Sequence, residues 1–277
     1  MAREDLLADG YEAAYQAFDS PMMQRFRSEA YGEDIGQHSW ARSDELRADI
    51  GRLGLTSASR LVDLGCGACG PLAFVVSSVG CRGTGVELSA AALSAGRARA
   101  ESLGVARLLI TQEADLNSHL PFSPCSFDAA MSIDVVCHVC DRTTLFAEVA
   151  RVLAPGGRLL FTDPCVVTGS VSSEDVCRRS LHGYTRFVAS GWNEAVLKAA
   201  GFRLLESEDR TASVLKNAGG RLRAIQTHRA ELEHALGTER IERDQRYLDA
   251  VISLAESGAL SRMMYLAELA TPRGAAA

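Results

Sequence analysis

The 277-residue sequence has no uninterrupted apolar stretch approaching the ~20 residues that a membrane-spanning helix needs. Its first residues mix Arg3 with Glu4, Asp5 and Asp9, not the basic-then-apolar order of a secretory leader. A cytoplasmic protein without signal peptide or membrane anchor is therefore expected. Also missing is a dense Lys/Arg tract: 29 basic side chains face 35 acidic ones, for a net charge of −6. Nothing draws such a chain to polyphosphate, so nucleic acid is not an expected partner. Neither an internal repeat nor a low-complexity tract precedes the Ala-rich end.

Aromatic residues are few, at 6% of the chain, yet Tyr11, Tyr15, Phe18, Phe26, Tyr31 and Trp40 all fall before residue 56. That concentration suggests a lid over something flat or apolar, or equally helices packed on a core. The eight cysteines lie at positions 66, 69, 81, 125, 137, 140, 165 and 177, several inside apolar runs. There free thiols pack as small hydrophobes, a usage that fits a reducing compartment. Two Cys-x-x-Cys pairs, Cys66/Cys69 and Cys137/Cys140, could supply four thiolates to zinc. Both lie in segments with another explanation, and no metal is expected.

Between residues 60 and 165 apolar runs of strand length alternate with helical patterns, as in βαβ units feeding a parallel sheet. Strands are predicted at Ser59–Leu64, Gly80–Glu87, Ala106–Glu113, Phe127–Ile133 and Gly157–Asp163, with helices at Ala90–Leu103 and Thr143–Leu153. Pro155-Gly156-Gly157 should stop the second helix. A helix at Gly191–Ala200, a sixth strand at Phe202–Ser207 and a seventh at Ser261–Glu268 follow. The expected fold is α/β: a Rossmann-like, seven-stranded, mostly parallel sheet with helices on both faces, plus a helical N-terminal lid and a helical insertion. The lid covers residues 1–55, the core 56–212, the insertion 213–258, and the last strand with a disordered tail 259–277. Arg and Glu interspersed with Leu and Ile give the insertion a two-helix pattern. It reads as a solvated or homodimer-forming pair in preference to a substrate cap.

The strongest local signal is Leu61-Val62-Asp63-Leu64-Gly65-Cys66-Gly67-Ala68-Cys69-Gly70-Pro71, a strand running through a glycine-rich turn into a helix. Glycine lets backbone approach a ligand, and the helix start offers unpaired N–H groups. Gly65, Gly67 and Gly70 also satisfy the dinucleotide spacing, so the loop alone fits a nicotinamide enzyme too. Asp63 shifts the balance, because a carboxylate suits a cationic amine and repels a pyrophosphate. Glu87 ends the next strand, where an acidic side chain can accept hydrogen bonds from ribose hydroxyls.

Four segments in order, Val62-Asp63-Leu64-Gly65-Cys66-Gly67, Gly85-Val86-Glu87, Leu120-Pro121-Phe122 with Ser126-Phe127-Asp128, and Arg151-Val152-Leu153-Ala154-Pro155-Gly156-Gly157, resemble class I S-adenosylmethionine-dependent methyltransferases. The likeness is to the small-molecule group that includes ubiquinone-biosynthesis and sarcosine-type enzymes. It implies S-adenosyl-L-methionine as cofactor, S-adenosyl-L-homocysteine as product, and a small-molecule acceptor. It places Asp63, Gly65, Cys66 and Gly67 near the methionine moiety, Glu87 with Leu88 on the ribose, and Asp115 with Leu116 at the adenine. Ser132 and Ile133 would line the methionine end, and Cys69 departs from the glycine many relatives have.

His138, after the fourth strand, and His182 are the candidate general bases. His182 and Tyr184 fall where relatives wall the acceptor pocket, and Tyr31 or Trp40 would cover it. Catechol-type relatives hold magnesium near the places of Asp134 and Asp163, but Pro164 stands where an amide ligand is needed. Rival readings are an NAD(P)-dependent oxidoreductase and a noncatalytic cofactor-binding module. A base-modifying enzyme would carry Asn/Asp-Pro-Pro-aromatic where this chain has Ser132-Ile133-Asp134-Val135.

Overall fold

The structure is a computed structural model that describes residues 15, 18–180 and 184–271. His182 and the tail from residue 272 lie outside the described residues. Two helices open the described chain, α1 (Pro21–Tyr31) and α2 (Ser43–Leu53). Ser20 caps α1 by accepting from the Met23 N–H, and Pro21 occupies the first turn, where its missing donor costs nothing.

The α/β core follows as β1 (Arg60–Leu64), α3 (Gly70–Val79), β2 (Arg82–Glu87), α4 (Ala90–Ser102), β3 (Leu109–Glu113) and β4 (Phe127–Ile133). A 3-10 turn at Val136–His138 leads to α5 (Arg142–Val152) and β5 (Leu153–Val167). Then come α6 (Ser173–Arg179), the two-residue β6 (Val188–Ala189), α7 (Trp192–Ala199) and β7 (Phe202–Asp209). Three helices, α8 (Thr211–Thr227), α9 (Arg229–Leu236) and α10 (Thr238–Glu256), precede β8 (Leu260–Leu269).

The strands lie in the order β3-β2-β1-β4-β5-β8-β7, with β6 beside β5. β8 runs antiparallel to both neighbours, and every other pairing is parallel. The predicted Rossmann-like sheet is therefore present, with eight strands once short β6 is counted. Alternation along β1 sends Leu61 to the side of α3 and α4, and Val62 and Leu64 to the side of α5 and α7. Both faces are covered, as parallel sheets require.

Pro155-Gly156-Gly157 does not stop the helix before a shorter strand. α5 ends at Val152, and β5 begins at once, with Gly156 at φ +77° and a register shift against β4. Gly80 closes α3 in the left-handed conformation at φ +76°, so β2 starts two residues later than its sequence suggests.

The insertion has three helices, because Gly237 at φ +87° separates α9 from α10. Its inner side packs on the N-terminal segment: Phe26, Tyr31, Trp40, Val214, Ile225 and Leu248 share one apolar cluster. The crossing of α8 over α1 needs Gly220, where a β-carbon would overlap the Ala30 carbonyl.

Candidate active site

The glycine loop leaves β1 with Gly65 at φ +76° and Gly67 at φ +51°. Gly65 and Cys66 N–H groups both donate to the Val86 carbonyl, at 2.8 and 3.0 Å, which ties the loop to β2. Cys69 also adopts a left-handed backbone, φ +55°, a conformation that glycine takes with less strain. Its thiol lies 3.5 Å from that of Cys66, and the two sulfurs fill the space above Gly85 and Gly96. Burial pushes the Cys66 thiol up, so it packs as a neutral group. Gly70 admits the backbone of residues 35 and 36 against the start of α3.

A cavity of about 670 Å³ opens beyond the C-terminal ends of β1, β2 and β4, where the strand order reverses. That is where open α/β sheets bind ligands, and the size is usual for small-molecule sites. Asp63 is 2% exposed, and its carboxyl makes no hydrogen bond or ion pair with a described residue. Burial, and secondly the charge of Glu87, push its pKa up to about 8. Glu87 Oε2 accepts from Gly67 N–H at 3.0 Å, while Oε1 accepts from Leu88 and Ser89 at 2.8 and 3.1 Å. Further along the same wall, Asp115 Oδ1 accepts from the backbone and side-chain amides of Asn117, both at 2.9 Å. This end of the cavity is acidic.

The next wall is built by buried ion pairs. Asp134, at φ +61° after β4, accepts Arg262 Nε at 2.8 Å and Thr162 Oγ1 at 2.7 Å on Oδ1, and Trp40 N–H at 2.8 Å on Oδ2. Asp163 Oδ2 accepts from Arg142 at 2.5 Å and Asn193 at 2.9 Å, and its Oδ1 from Cys165 N–H at 3.0 Å. Both carboxylates at the magnesium positions of the catechol type thus face a guanidinium. Asp163 also stands with Cys137 and Cys165 in a metal-sized cluster. Its oxygens are engaged, and hydrogen bonding to Cys137 followed by burial pushes the Cys165 thiol well up, which suits a neutral thiol there. Among the described residues the two Cys-x-x-Cys pairs form no common cluster.

His138 Nδ1 lies 2.8 Å from the Tyr184 carbonyl. A carbonyl only accepts, so Nδ1 carries the hydrogen and Nε2 of the neutral ring keeps its lone pair. Burial lowers the ring's pKa, partly offset by that hydrogen bond.

Residues 62–161 match the methyltransferase domain family. Over these residues the chain is similar to that family. The chain is 32% identical over 164 residues to the methyltransferase GfsG of Streptomyces halstedii, covering 57% of this chain and 58% of that protein. It thus spans under two thirds of that relative's length. A solved structure of a putative sarcosine dimethylglycine methyltransferase from Galdieria sulphuraria has a TM-score of 0.76 at 19% identity, covering 89% of this chain and 98% of that one. The [4+2]-cyclase SpnF has a TM-score of 0.74 at 20% identity, with 95% of each chain covered. The chain shares the fold of both structures.

Within this fold Asp63, Gly65, Cys66, Gly67, Glu87 and Leu88 line the cavity together. Asp115, Leu116, Ile133 and His138 join them, with Trp40 from the N-terminal segment. Three of the expected site residues stand off the lining. Ser132 turns its hydroxyl to the Leu64 carbonyl at 2.9 Å and is not part of the lining. Tyr31 lies in the apolar cluster between α1 and the insertion. Tyr184 contributes its carbonyl to His138, while Thr185 is the lining residue.

The reading from sequence missed the far end, lined by Arg179, Arg221, Arg240, Arg243, Asp244 and Tyr247. A signal was present: 240, 243, 244 and 247 have the i, i+3, i+4, i+7 spacing of one helix face.

Proposed function

We propose that the protein is an S-adenosylmethionine-dependent methyltransferase that alkylates a small-molecule acceptor by in-line transfer. The observation that carries this reading is Asp63, a buried carboxyl with no described partner, facing the cavity beside Glu87 and the glycine loop. A carboxyl so placed is costly unless a cation meets it. The ammonium of a methionine moiety meets that need, whereas a dinucleotide pyrophosphate would be repelled, which counts against the oxidoreductase reading. Glu87 retains acceptor capacity beyond its three backbone donors for ribose hydroxyls. Leu88, 49% exposed, and Leu116 offer apolar surface on the adenine side, with Asp115 beside them.

When bound, the donor supplies a sulfonium-activated methyl group. What remains for the protein is alignment and exclusion of water. Trp40 and the insertion cover the cavity, and we read the insertion as an acceptor cap in place of a dimer contact. His138 Nε2 takes the proton from an acceptor hydroxyl or ammonium, while the Tyr184 carbonyl fixes its tautomer. No described helix is long and apolar enough to cross a membrane, and the eight free cysteines suit a reducing cytoplasm.

Calorimetric titration with S-adenosylhomocysteine and with NADH tests the donor assignment. The first should bind and the second should not, and the reverse outcome overturns the reading. Turnover of methyl-labelled donor with a metabolite panel separates an enzyme from a binding module.

A further inference from the structure

The chain is acidic overall, with a net charge of −6, yet the capped end of its cavity is basic. Arg221 reaches it from α8, and Arg240 and Arg243 from one face of α10. None of the three forms an ion pair with a described residue. Arg221 rests 5.4 Å from the Trp40 ring centroid, and Arg179 donates to Tyr247 Oη at 2.6 Å, so aromatic surface lies beside the guanidinium groups. Asp244 sits among Arg221, Arg240 and Arg243, and all three lower the pKa that burial raises. Even when ionised it offsets only one of three charges. At the opposite end, Asp63 responds to Glu87 and to no guanidinium. The cavity therefore has two separated zones, carboxylates under the glycine loop and arginines under the cap.

Like charges held around one cavity repel each other. Planar guanidinium forks match the two oxygens of a carboxylate or phosphate, and a cationic or neutral acceptor would leave them uncompensated. We infer that the acceptor carries an oxyanion, a carboxylate or a phosphate ester, bound by Arg221, Arg240 and Arg243 at the capped end of the cavity. This inference rests on the methyltransferase reading above. The oxyanion anchors the acceptor, and the reacting atom lies between that anchor and the donor, on the side of His138.

The test is calorimetric titration of the S-adenosylhomocysteine-saturated protein with benzoate, phenyl phosphate and the neutral benzyl alcohol. Both or either anion should bind, more weakly as salt is raised, and the alcohol should not. The stronger anion identifies the group. Arg240→Met with Arg243→Met, on the accessible side of α10, and separately Arg221→Gln, should weaken anion binding at least tenfold while leaving the S-adenosylhomocysteine Kd within twofold. Equal binding of the alcohol, anion binding indifferent to all three substitutions, or no anion binding up to about 10 mM overturns the inference. A parallel loss of S-adenosylhomocysteine affinity also overturns it, since the arginines would then hold the donor's own carboxylate. If the protein binds no S-adenosylhomocysteine at all, the donor assignment fails instead, and the same anion titrations on the unliganded protein still decide the basic site.

Discussion

Arg262 Nε donates to Asp134 Oδ1 at 2.8 Å, joining the last strand to the turn after β4 in a place where both residues are buried. The same guanidinium reaches Glu45 on α2 at 2.9 Å, and the same carboxylate holds the Trp40 N–H. One ion pair thus fixes the sheet, the N-terminal helices and a wall of the cavity to each other. Removing one partner strands the other charge. Asp134→Ala or Arg262→Met should each cost about 3–5 kcal/mol in denaturant unfolding, and the double variant should cost clearly less than the sum. Additive losses would show that the two residues act separately.

On the proposed reading, Asp63 should make donor binding pH-dependent. Its folded pKa of about 8 lies above its ordinary 3.8, so folding favours the neutral form, and the unliganded protein loses stability as pH rises between those values. A bound ammonium favours the ionised form. Binding of S-adenosylhomocysteine at pH 7 should release close to one proton, and affinity should rise up to about tenfold per pH unit towards pH 8. Calorimetry in buffers of different ionisation enthalpy reads the proton directly. Asp63→Asn should abolish the release, and an unchanged release would place the proton on another group.

Glu87 supports the loop and, on the proposed reading, should also hold the donor. Glu87→Ala should weaken S-adenosylhomocysteine binding at least tenfold, about 1.4 kcal/mol. Because the carboxylate also accepts from Gly67 N–H, part of that loss reflects a looser turn. Unchanged affinity in the variant would remove Glu87 from the donor site.

For His138, turnover at saturating donor should be flat above about pH 7 and fall only on the acid side of the ordinary 6.5, since burial keeps the ring neutral. His138→Gln should lower kcat by roughly 100-fold or more while leaving S-adenosylhomocysteine affinity nearly intact. A kcat within a fewfold of the parent would mean that alignment alone suffices.

Gly220 and Gly219 form an internal control on the cap. A β-carbon at 220 overlaps the Ala30 carbonyl, whereas at 219 it meets only the flexible end of Arg223 at 3.4 Å. Gly220→Ala should cost roughly 1–3 kcal/mol, while Gly219→Ala should be stabilising by about 0.5–1 kcal/mol. Thermal unfolding of the two variants separates a packing constraint from helix propensity.

What the sequence reveals follows from how locally each feature is encoded. Alternating apolar runs, the glycine turn and the acids at 63 and 87 are dictated by neighbouring residues; the strands form in the expected order with some shifted starts, and both acids line the cavity. The start of β5 was misplaced because Pro-Gly-Gly suits a helix stop and a bulge alike. Tyr184 acts through its backbone, and a carbonyl carries no residue-specific signature. The arginine face of α10 has a plain helical period, but periodicity identifies a face without saying what lies opposite. Its polarity suggested water, and the fold turns it onto the cavity.

β8 enters the sheet between β5 and β7, and its Arg262 meets Asp134 across 128 positions and Glu45 across 217. Synthesis runs from the N-terminus, so these partners wait until the strand has been translated. Before then a nascent chain has Asp134 without its counter-ion, Trp40 held by a carboxylate that lacks its own support, and an open seam beside β5. Competence to bind therefore waits on this strand, and a chain stopped short of residue 262 would carry a half-built pocket.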